Sequence, residues 1–344
     1  MAGLDTVGVV LIGCGGRGVR VLGAHARQSE KFHLVAVCDV DEQRLQAAME
    51  AFGVPGETDY RRLLAREDVQ AVLIATNTRW HAPIALDAIH AGKHVFIEKP
   101  LADTTAAARR VVEAAEAAGV IGMVGYQFRF TPFALELKRQ VDAINPMQAL
   151  VTRQRGPMGP QYFFPEHYGG IVDTATHDLH LVLWLMGGMP EAVYGTVTRG
   201  TILGDETIEF MNLLIEYDGG RRTATVIASM LGIQTQNIIQ VVGTRGSVTS
   251  LDRKTLQVVQ HEGVRQPGAG MRPLGLETRT IETEGDLRDA TGVMLDHFAD
   301  LVTGRTHEQR GATLREGMQA VAVSEAMVEA ARTGCRVRLY AGPA

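Results

Sequence analysis

The chain has 344 residues, 45% of them hydrophobic and 21% charged, with a formal net charge of −5. Two globular domains are the natural expectation, and the apolar content is enough for their cores without disulfide or metal staples. A net negative chain with no lysine- or arginine-rich run gives no electrostatic reason to expect nucleic acid or an anionic membrane as partner.

The N-terminal third alternates between two patterns. Short apolar runs fall at Val7–Ile12, 34–38, 71–75, His94–Ile97 and 121–124, bounded by Gly, Asp or Asn. Such runs suit strands buried on both faces. The run at Val7–Ile12 is too short for a signal or a membrane span. Segments 41–52, 81–91 and 103–118 carry helical spacing. Strands each followed by a helix imply a parallel sheet with right-handed crossovers. Asp103 and Thr104 offer N-cap oxygens to the third of these helices, and Gly119 closes it. Cys14, Cys38 and Cys335 are odd in number and far apart, without metal or disulfide spacing. Buried thiols in a reducing cytoplasm fit Cys14 and Cys38, and the N-terminus carries no export-signal pattern.

After about Phe130 the rhythm changes. A helix over Pro132–Ile144 leads to a strand over 148–154, a Gly/Pro/aromatic loop over 156–170, and a helix over 172–186 ended by Gly187-Gly188. From 192 to 259 strand follows strand: 193–198, 207–217, 223–229, 235–243 and 247–249 all favour β structure, with turn signals between them. An antiparallel sheet is the economical reading. Residues 261–286 are polar and glycine-rich and read as a long loop or irregular edge. Helical segments at 287–303 and 314–332 close the chain.

Gly13-Cys14-Gly15-Gly16-Arg17-Gly18 contains the spacing G-x-G-x-x-G. In a chain with 38 glycines the spacing alone is weak. Its context is specific, because it follows an apolar strand, opens a helix, and precedes by about 20 residues an aspartate, Asp39, at the end of the next strand. Gly13 permits the tight turn, Gly15 lets backbone approach a pyrophosphate, and Gly18 lets the helix pack on the sheet. Gly16 and Arg17 complete the loop, whose helix start favours phosphate. Asp39 can accept from both ribose hydroxyls and repels a 2′-phosphate. With Val40 and Asp41 next and no basic residue nearby, NAD is favoured over NADP.

At Glu98-Lys99-Pro100 the chain resembles the glucose–fructose oxidoreductase / inositol 2-dehydrogenase / MocA family. The resemblance continues through Arg129-Phe130, Gly169-Gly170 and the Asp173-x-x-x-His177 pair, and covers nearly the whole chain. It implies an α/β fold in two parts. One is an N-terminal Rossmann doubly wound parallel sheet, placed at 1–125. The other is a C-terminal α/β domain with a large, mostly antiparallel open sheet, placed at 126–344, which commonly forms an oligomer interface. A homodimer or homotetramer follows, since five β-rich segments outnumber the helices that could cover both faces. The resemblance also implies hydride transfer between NAD(P) and a secondary alcohol of a sugar or cyclitol. By position Lys99 matches the lysine beside nicotinamide and hydroxyl, His177 the acid/base histidine, and Asp173 its carboxylate neighbour.

The residue types suit those roles. Histidine titrates near the pH of the reaction, a lysine stabilises alkoxide charge, and residues four apart share a helix face. Asp173 and His177 taken alone would read as an ordinary helix pair. Thr76, Asn77, His81 and Glu98 are expected along the cofactor, although Trp80 and His81 can equally pack. Gln127, Arg129, Arg153 and Tyr162 are expected at the substrate with Lys99, Asp173 and His177; Arg155 and Tyr168 could join them, and the loop aromatics could instead anchor the loop. Three features depart from the family pattern. Asp178 directly follows His177 while His180 takes the place of a later aspartate, no proline follows the third strand, and Gln127 replaces an asparagine. His180 lines the pocket or packs in the core, and no metal site is expected. Two other classes share the fold: NAD-using glycoside hydrolases, many of them exported, and dinucleotide-sensing regulators, which would lose the lysine–histidine pair.

Overall fold

The first unit holds β1 Val7–Ile12, β2 Phe32–Cys38, β3 Gly56–Glu57, β4 Ala71–Ile74, β5 His94–Ile97 and β6 Gly122–Val124; all but the two-residue β3 fall on the five apolar runs. They come from a computed structural model that describes residues 6–154, 171–199, 208–229, 235–265, 272–284 and 287–339. They pair in parallel in the order β6-β5-β4-β1-β2-β3, and the short strand Ala312–Thr313 adds antiparallel to β6. Every residue of β1 and β4 is buried, which is why both faces of these strands are apolar. Consecutive strands lie on opposite sides of β1, with β2 on one flank and β4 on the other. The carboxyl ends of β1 and β4 therefore border the switch point at which doubly wound sheets bind ligands.

The helices start and stop on chemistry visible in the sequence. Asp41 accepts from the Gln43 and Arg44 N–H groups and opens Glu42–Phe52, which Gly53 ends in the left-handed region. Thr104 accepts from the Ala107 N–H and opens Thr105–Ala118. The segment after the glycine loop is less regular. It begins as a π-helical turn, Gly18–Gly23, and continues as α-helix over Ala24–Gln28. A Cβ on Gly23 would stand 2.7 Å from the Phe52 ring, so this segment lies tightly on its neighbours.

The chain divides into Met1–Phe130 with Asp286–Val321, and Thr131–Gly285 with Ala322–Ala344. The C-terminal helices are thus shared, whereas a cut after residue 125 leaves them wholly in the second domain. The helix Leu287–Val302 lays Met294, Leu295 and Phe298 into the core of the first unit, and the rings of Phe298 and Phe96 meet edge to face at 5.8 Å.

The second unit holds β7 Pro146–Gln154, β8 Ala192–Arg199, β9 Ile208–Tyr217, β10 Arg222–Ser229, β11 Gln236–Gly243, β12 Gly246–Ser250 and β13 Thr255–Gln260. The sheet runs β13-β12-β11-β7-β10-β9-β8, extended by Glu277–Glu282 beside β13 and Val337–Arg338 beside β8. All pairings are antiparallel except β7 with β10. The described parts of the stretch 261–286 carry short strands. Gly263–Arg265 pairs with Arg272–Leu274, and Glu277–Glu282 forms an edge strand. That edge strand is exposed at five of its six positions, so it needs no apolar alternation and reads as loop.

The two sheet faces differ. Val193, Ile215, Ala224, Ala149, Val241, Val248 and Val258 form one cross-strand row, all of them buried. The helices Pro132–Ile144 and Ile171–Met186 pack on the same sheet. On the other face Tyr194, Leu214, Thr225, Leu150, Gln240 and Thr249 form the neighbouring row, and none of these is buried.

Candidate active site

The glycine loop joins three strand ends. The Gly13 N–H donates to the Cys38 carbonyl at 2.8 Å, and the Cys14 N–H donates to Asp39 Oδ2 at 2.7 Å. Gly13 has a φ of 102°, and a Cβ there would stand 2.5 Å from the Ala75 carbonyl oxygen. A Cβ on Gly18 would stand 1.9 Å from the Gly13 carbonyl oxygen. A Cβ on Gly15, by contrast, would meet nothing within 4 Å. The loop is closed to side chains where it touches the sheet and open where a dinucleotide's pyrophosphate is expected, so the residues present fit NAD. Gly16 is exposed beside them. Asp39 is half-buried, and its Oδ1 accepts from the Asp41 N–H at 2.9 Å, leaving each carboxylate oxygen a further lone pair. Cys14 and Cys38 are both buried, and burial first, then the nearby Asp39 charge for Cys14, pushes their thiols up to about 12.

At the end of β5, Glu98 is buried and Lys99 half-buried, and the Lys99–Pro100 peptide is cis. Arg17 Nε donates to Glu98 Oε1 at 2.7 Å, and the Lys99 N–H donates to Glu98 Oε2 at 3.3 Å. At the end of β4, Thr76 is half-buried and Asn77 exposed. His81 is buried, with Nδ1 2.7 Å from the Pro100 carbonyl and Nε2 3.1 Å from the Thr76 carbonyl. Burial lowers its pKa below the usual histidine range, against the pull of the two carbonyls. Both ring nitrogens therefore face backbone. His81 thus sits between the two loops that flank the crevice, with its ring turned to their backbone.

Gln127 and Arg129 follow β6 in a short 3-10 turn, and both are buried. Gln127 Oε1 has no partner among the described residues. Arg129 Nη1 donates to Glu316 Oε1 at 2.7 Å, and burial lowers the Arg129 pKa. Glu316 Oε2 also accepts from the Thr313 N–H at 2.8 Å, while Thr313 Oγ1 accepts from the Glu316 N–H at 3.1 Å. This is a capping box at the start of Leu314–Thr333, legible as T-x-x-E in the sequence. Arg129 is thus held by a helix cap, a role that substrate binding did not anticipate.

In the second unit, His177 and Asp178 point to different environments. Between Ala175 and Met186 only His177 and Trp184 are less than fully buried. They are seven residues apart, on one stripe of the helix. Asp178 is 1% exposed and lies between two guanidiniums, Arg153 Nη1 at 3.0 Å and Arg253 Nη2 at 2.7 Å. Arg153, expected at the substrate, is engaged by this buried pair, and its Nε is buried without a partner among the described residues. Arg253 carries no motif in the sequence; it sits at a φ of 58° between β12 and β13, and only the folded sheet brings it to Asp178. His180 is 3% exposed, in agreement with the core alternative. Arg155, Tyr162 and Tyr168 lie outside the described residues, as does the side chain of Asp173. Among the described residues no group of three or more His, Cys, Asp or Glu is arranged to hold a metal, and no helix is long and apolar enough to cross a membrane.

Comparison with known proteins adds to this geometry. A family model described as an oxidoreductase family with an NAD-binding Rossmann fold matches residues 7–126, and that family's C-terminal alpha/beta domain matches residues 149–339. The chain is 29% identical to the inositol 2-dehydrogenase 2 of Saccharopolyspora erythraea, over 98% of this chain and 97% of that one. It is also 29% identical to the inositol 2-dehydrogenase of Burkholderia lata, over 96% and 95%. Among solved structures it resembles a levoglucosan dehydrogenase in complex with NADH and levoglucosan, with a TM-score of 0.80, 21% identity, and coverage of 97% of this chain and 99% of that one. An NAD binding oxidoreductase from Klebsiella pneumoniae gives a TM-score of 0.81 at 22% identity, covering 98% and 100%. At such identities the structural likeness concerns the fold.

The open and closed glycines make a paired prediction. Gly15→Ala adds a methyl group that meets no protein atom, so the thermal midpoint should stay within about 2 °C of wild type while NADH affinity falls at least about tenfold. Gly18→Ala forces backbone apart and should lower the midpoint itself by several degrees. Calorimetry and fluorescence titration check both; a Gly15 variant with unchanged NADH affinity would place the pyrophosphate elsewhere.

Proposed function

Because the chain belongs to the Gfo/Idh/MocA family of oxidoreductases, we propose that it moves a hydride between NAD and a secondary alcohol of a sugar, sugar derivative or cyclitol. The observation that carries the substrate class is the similarity, over nearly the full length of both chains, to inositol 2-dehydrogenases. The retention of Lys99, Asp173 and His177 supports it.

Bound NAD supplies the hydride acceptor. The protein has to hold the alcohol and manage its proton. In this reading Lys99, at the carboxyl end of a central strand, stabilises negative charge on the alcohol oxygen. His177 takes the proton through its half-exposed ring. Asp173, one turn earlier, orients that ring and favours its charged form. Asp178 contributes indirectly: its two arginines fix how the helix is turned, which sets where the neighbouring His177 faces.

The open face of the second sheet belongs to the same reading. It carries a row with Tyr194, Leu214 and Leu150, and Tyr194 and Val242 are more than 40% exposed. A second copy covering this face yields a homodimer or homotetramer.

The direct assay follows NADH absorbance across a panel of cyclitols, aldoses, sugar acids and their ketones; no turnover with any member would count against the substrate class. On the substrate so identified, His177→Ala and Lys99→Ala should each lower kcat about 10²–10⁴-fold, with NADH affinity within a few-fold of wild type. Near-normal turnover in both would show that the reacting residues lie elsewhere. Cofactor choice tests Asp39 separately: wild type should favour NAD, and Asp39→Ser should narrow that preference. Equal wild-type turnover with NADP would remove the phosphate-repelling role. Assembly is checked by light scattering at micromolar concentration, where a monomer would rule out the sheet-mediated oligomer.

A further inference from the structure

We propose that Arg17 is a positioning residue that couples dinucleotide binding to Lys99. It links the pyrophosphate at the glycine loop to the Glu98 carboxylate, which in turn holds the Lys99 backbone. The effect on turnover rests on Lys99 serving the reaction as read above; the coupling itself does not.

Three observations carry the inference, all within the first unit. Arg17 stands in the glycine loop, two residues after the open Gly15. Its side chain is 38% exposed, while that of Glu98 is 8% exposed. The guanidinium therefore joins an accessible loop to a nearly buried carboxylate. The bond at 2.7 Å uses Nε alone; Nη1 and Nη2 have no partner among the described residues. A guanidinium has five N–H donors in a rigid fork, so four remain for a second anion on the opposite edge.

Glu98 transmits the contact. Oε1 takes Arg17 and Oε2 takes the Lys99 N–H. That second bond is 3.3 Å, longer than the roughly 2.7–2.9 Å of a charge-assisted N–H···O bond. The carboxylate has little room to move otherwise. A Cβ on Gly125 would stand 3.2 Å from Oε2, so Gly125 leaves just the space that Glu98 fills. When the pyrophosphate draws the free edge of Arg17 toward the loop, the guanidinium loses its freedom to swing, and Glu98 is held with it. The Lys99 N–H bond then tightens. Coupling of this kind is reciprocal: what fixes Glu98 also favours the dinucleotide.

The probe is ADP, which carries the diphosphate but neither nicotinamide nor the second ribose. Backbone amide exchange at Lys99 reads the bond directly and needs no substrate. ADP at saturation should slow that exchange about tenfold in wild type, within the usual range of coupling between sites. Arg17→Lys keeps the charge but cannot serve two anions with one fork. It should bind ADP within about tenfold of wild type and lose the slowing. Glu98→Gln, which keeps the shape and removes the ion pair, should lose it too, and serves alone should the first variant prove unstable. With NAD and the active substrate, Arg17→Lys should lower kcat more than it raises the KM for NAD. No ADP effect on wild-type exchange, an equal effect in both variants, or a change confined to KM would each overturn the proposal. An inactive wild type in the substrate panel would defeat the dehydrogenase reading and leave the exchange result standing by itself.

Discussion

Everything in the cofactor crevice hangs on one close approach of backbone to backbone. The helix that follows β1 starts so near the sheet that a side chain at Gly18 would fall 1.9 Å from the Gly13 carbonyl oxygen. Gly13 is pressed in the same way against Ala75 at the end of β4. This double contact brings the ends of β1, β2 and β4 together and turns the Cys14 N–H onto Asp39. Only then does Asp39 stand beside a phosphate-binding turn. The neighbouring thiols of Cys14 and Cys38 belong to the same tight packing, which keeps them protonated and out of the chemistry.

Within each unit, carboxylates wholly or partly buried act as fixed points. Glu98, Glu316 and Asp178 each meet an arginine at 3.0 Å or less. A buried ion pair adds little net stability over a well-packed apolar substitute, but breaking one is expensive. Its value here is geometric. Glu316 ties the 3-10 turn after β6 to a helix cap, and Asp178 ties a helix to two separate places in the second sheet. His81 adds a contact between neutral groups, its ring lying between the Thr76 and Pro100 carbonyls and, when neutral, donating to one of them. The loops at the carboxyl edge of the first sheet are thereby fixed by side chains that need never touch a ligand.

The sequence carried the first unit well because its signals are local. Strands buried on both faces show as unbroken apolar runs, and Asp41, Thr104 and Gly119 mark helix ends by chemistry acting within three residues. It carried the ion pairs poorly because their partners are distant. Arg129 and Glu316 lie 187 residues apart, and Asp178 and Arg253 lie 75 apart. An arginine near a catalytic motif looks the same whether it binds substrate or a buried carboxylate. The same limit hid the return of Asp286–Val321 to the first unit, since an amphipathic helix does not say which core it covers. The edge strand Glu277–Glu282 reads in the sequence as either loop or irregular edge for the opposite reason: exposure removes the alternation by which a strand is recognised.

The helix with His177 shows how a departure from the family pattern reshapes the remaining choices. Successive helix residues are turned by about 100°, so a carboxylate committed inward at 178 cannot also share the face of 177. Position 180 has the right spacing, but here it is a buried histidine with no negative charge to offer. Asp173 and Asp178 are the only carboxylates within Ile171–Met186. In the proposed reaction, support for a charged His177 from its own helix would therefore fall to Asp173, where the family pattern offers a second carboxylate. If His177 takes the proton as proposed, the two carboxylates would serve it by different routes. Asp178, held by its two arginines, sets how the helix is turned and so where the ring faces. Asp173, one turn earlier, would favour the charged ring. Removing either would then disturb the same proton transfer.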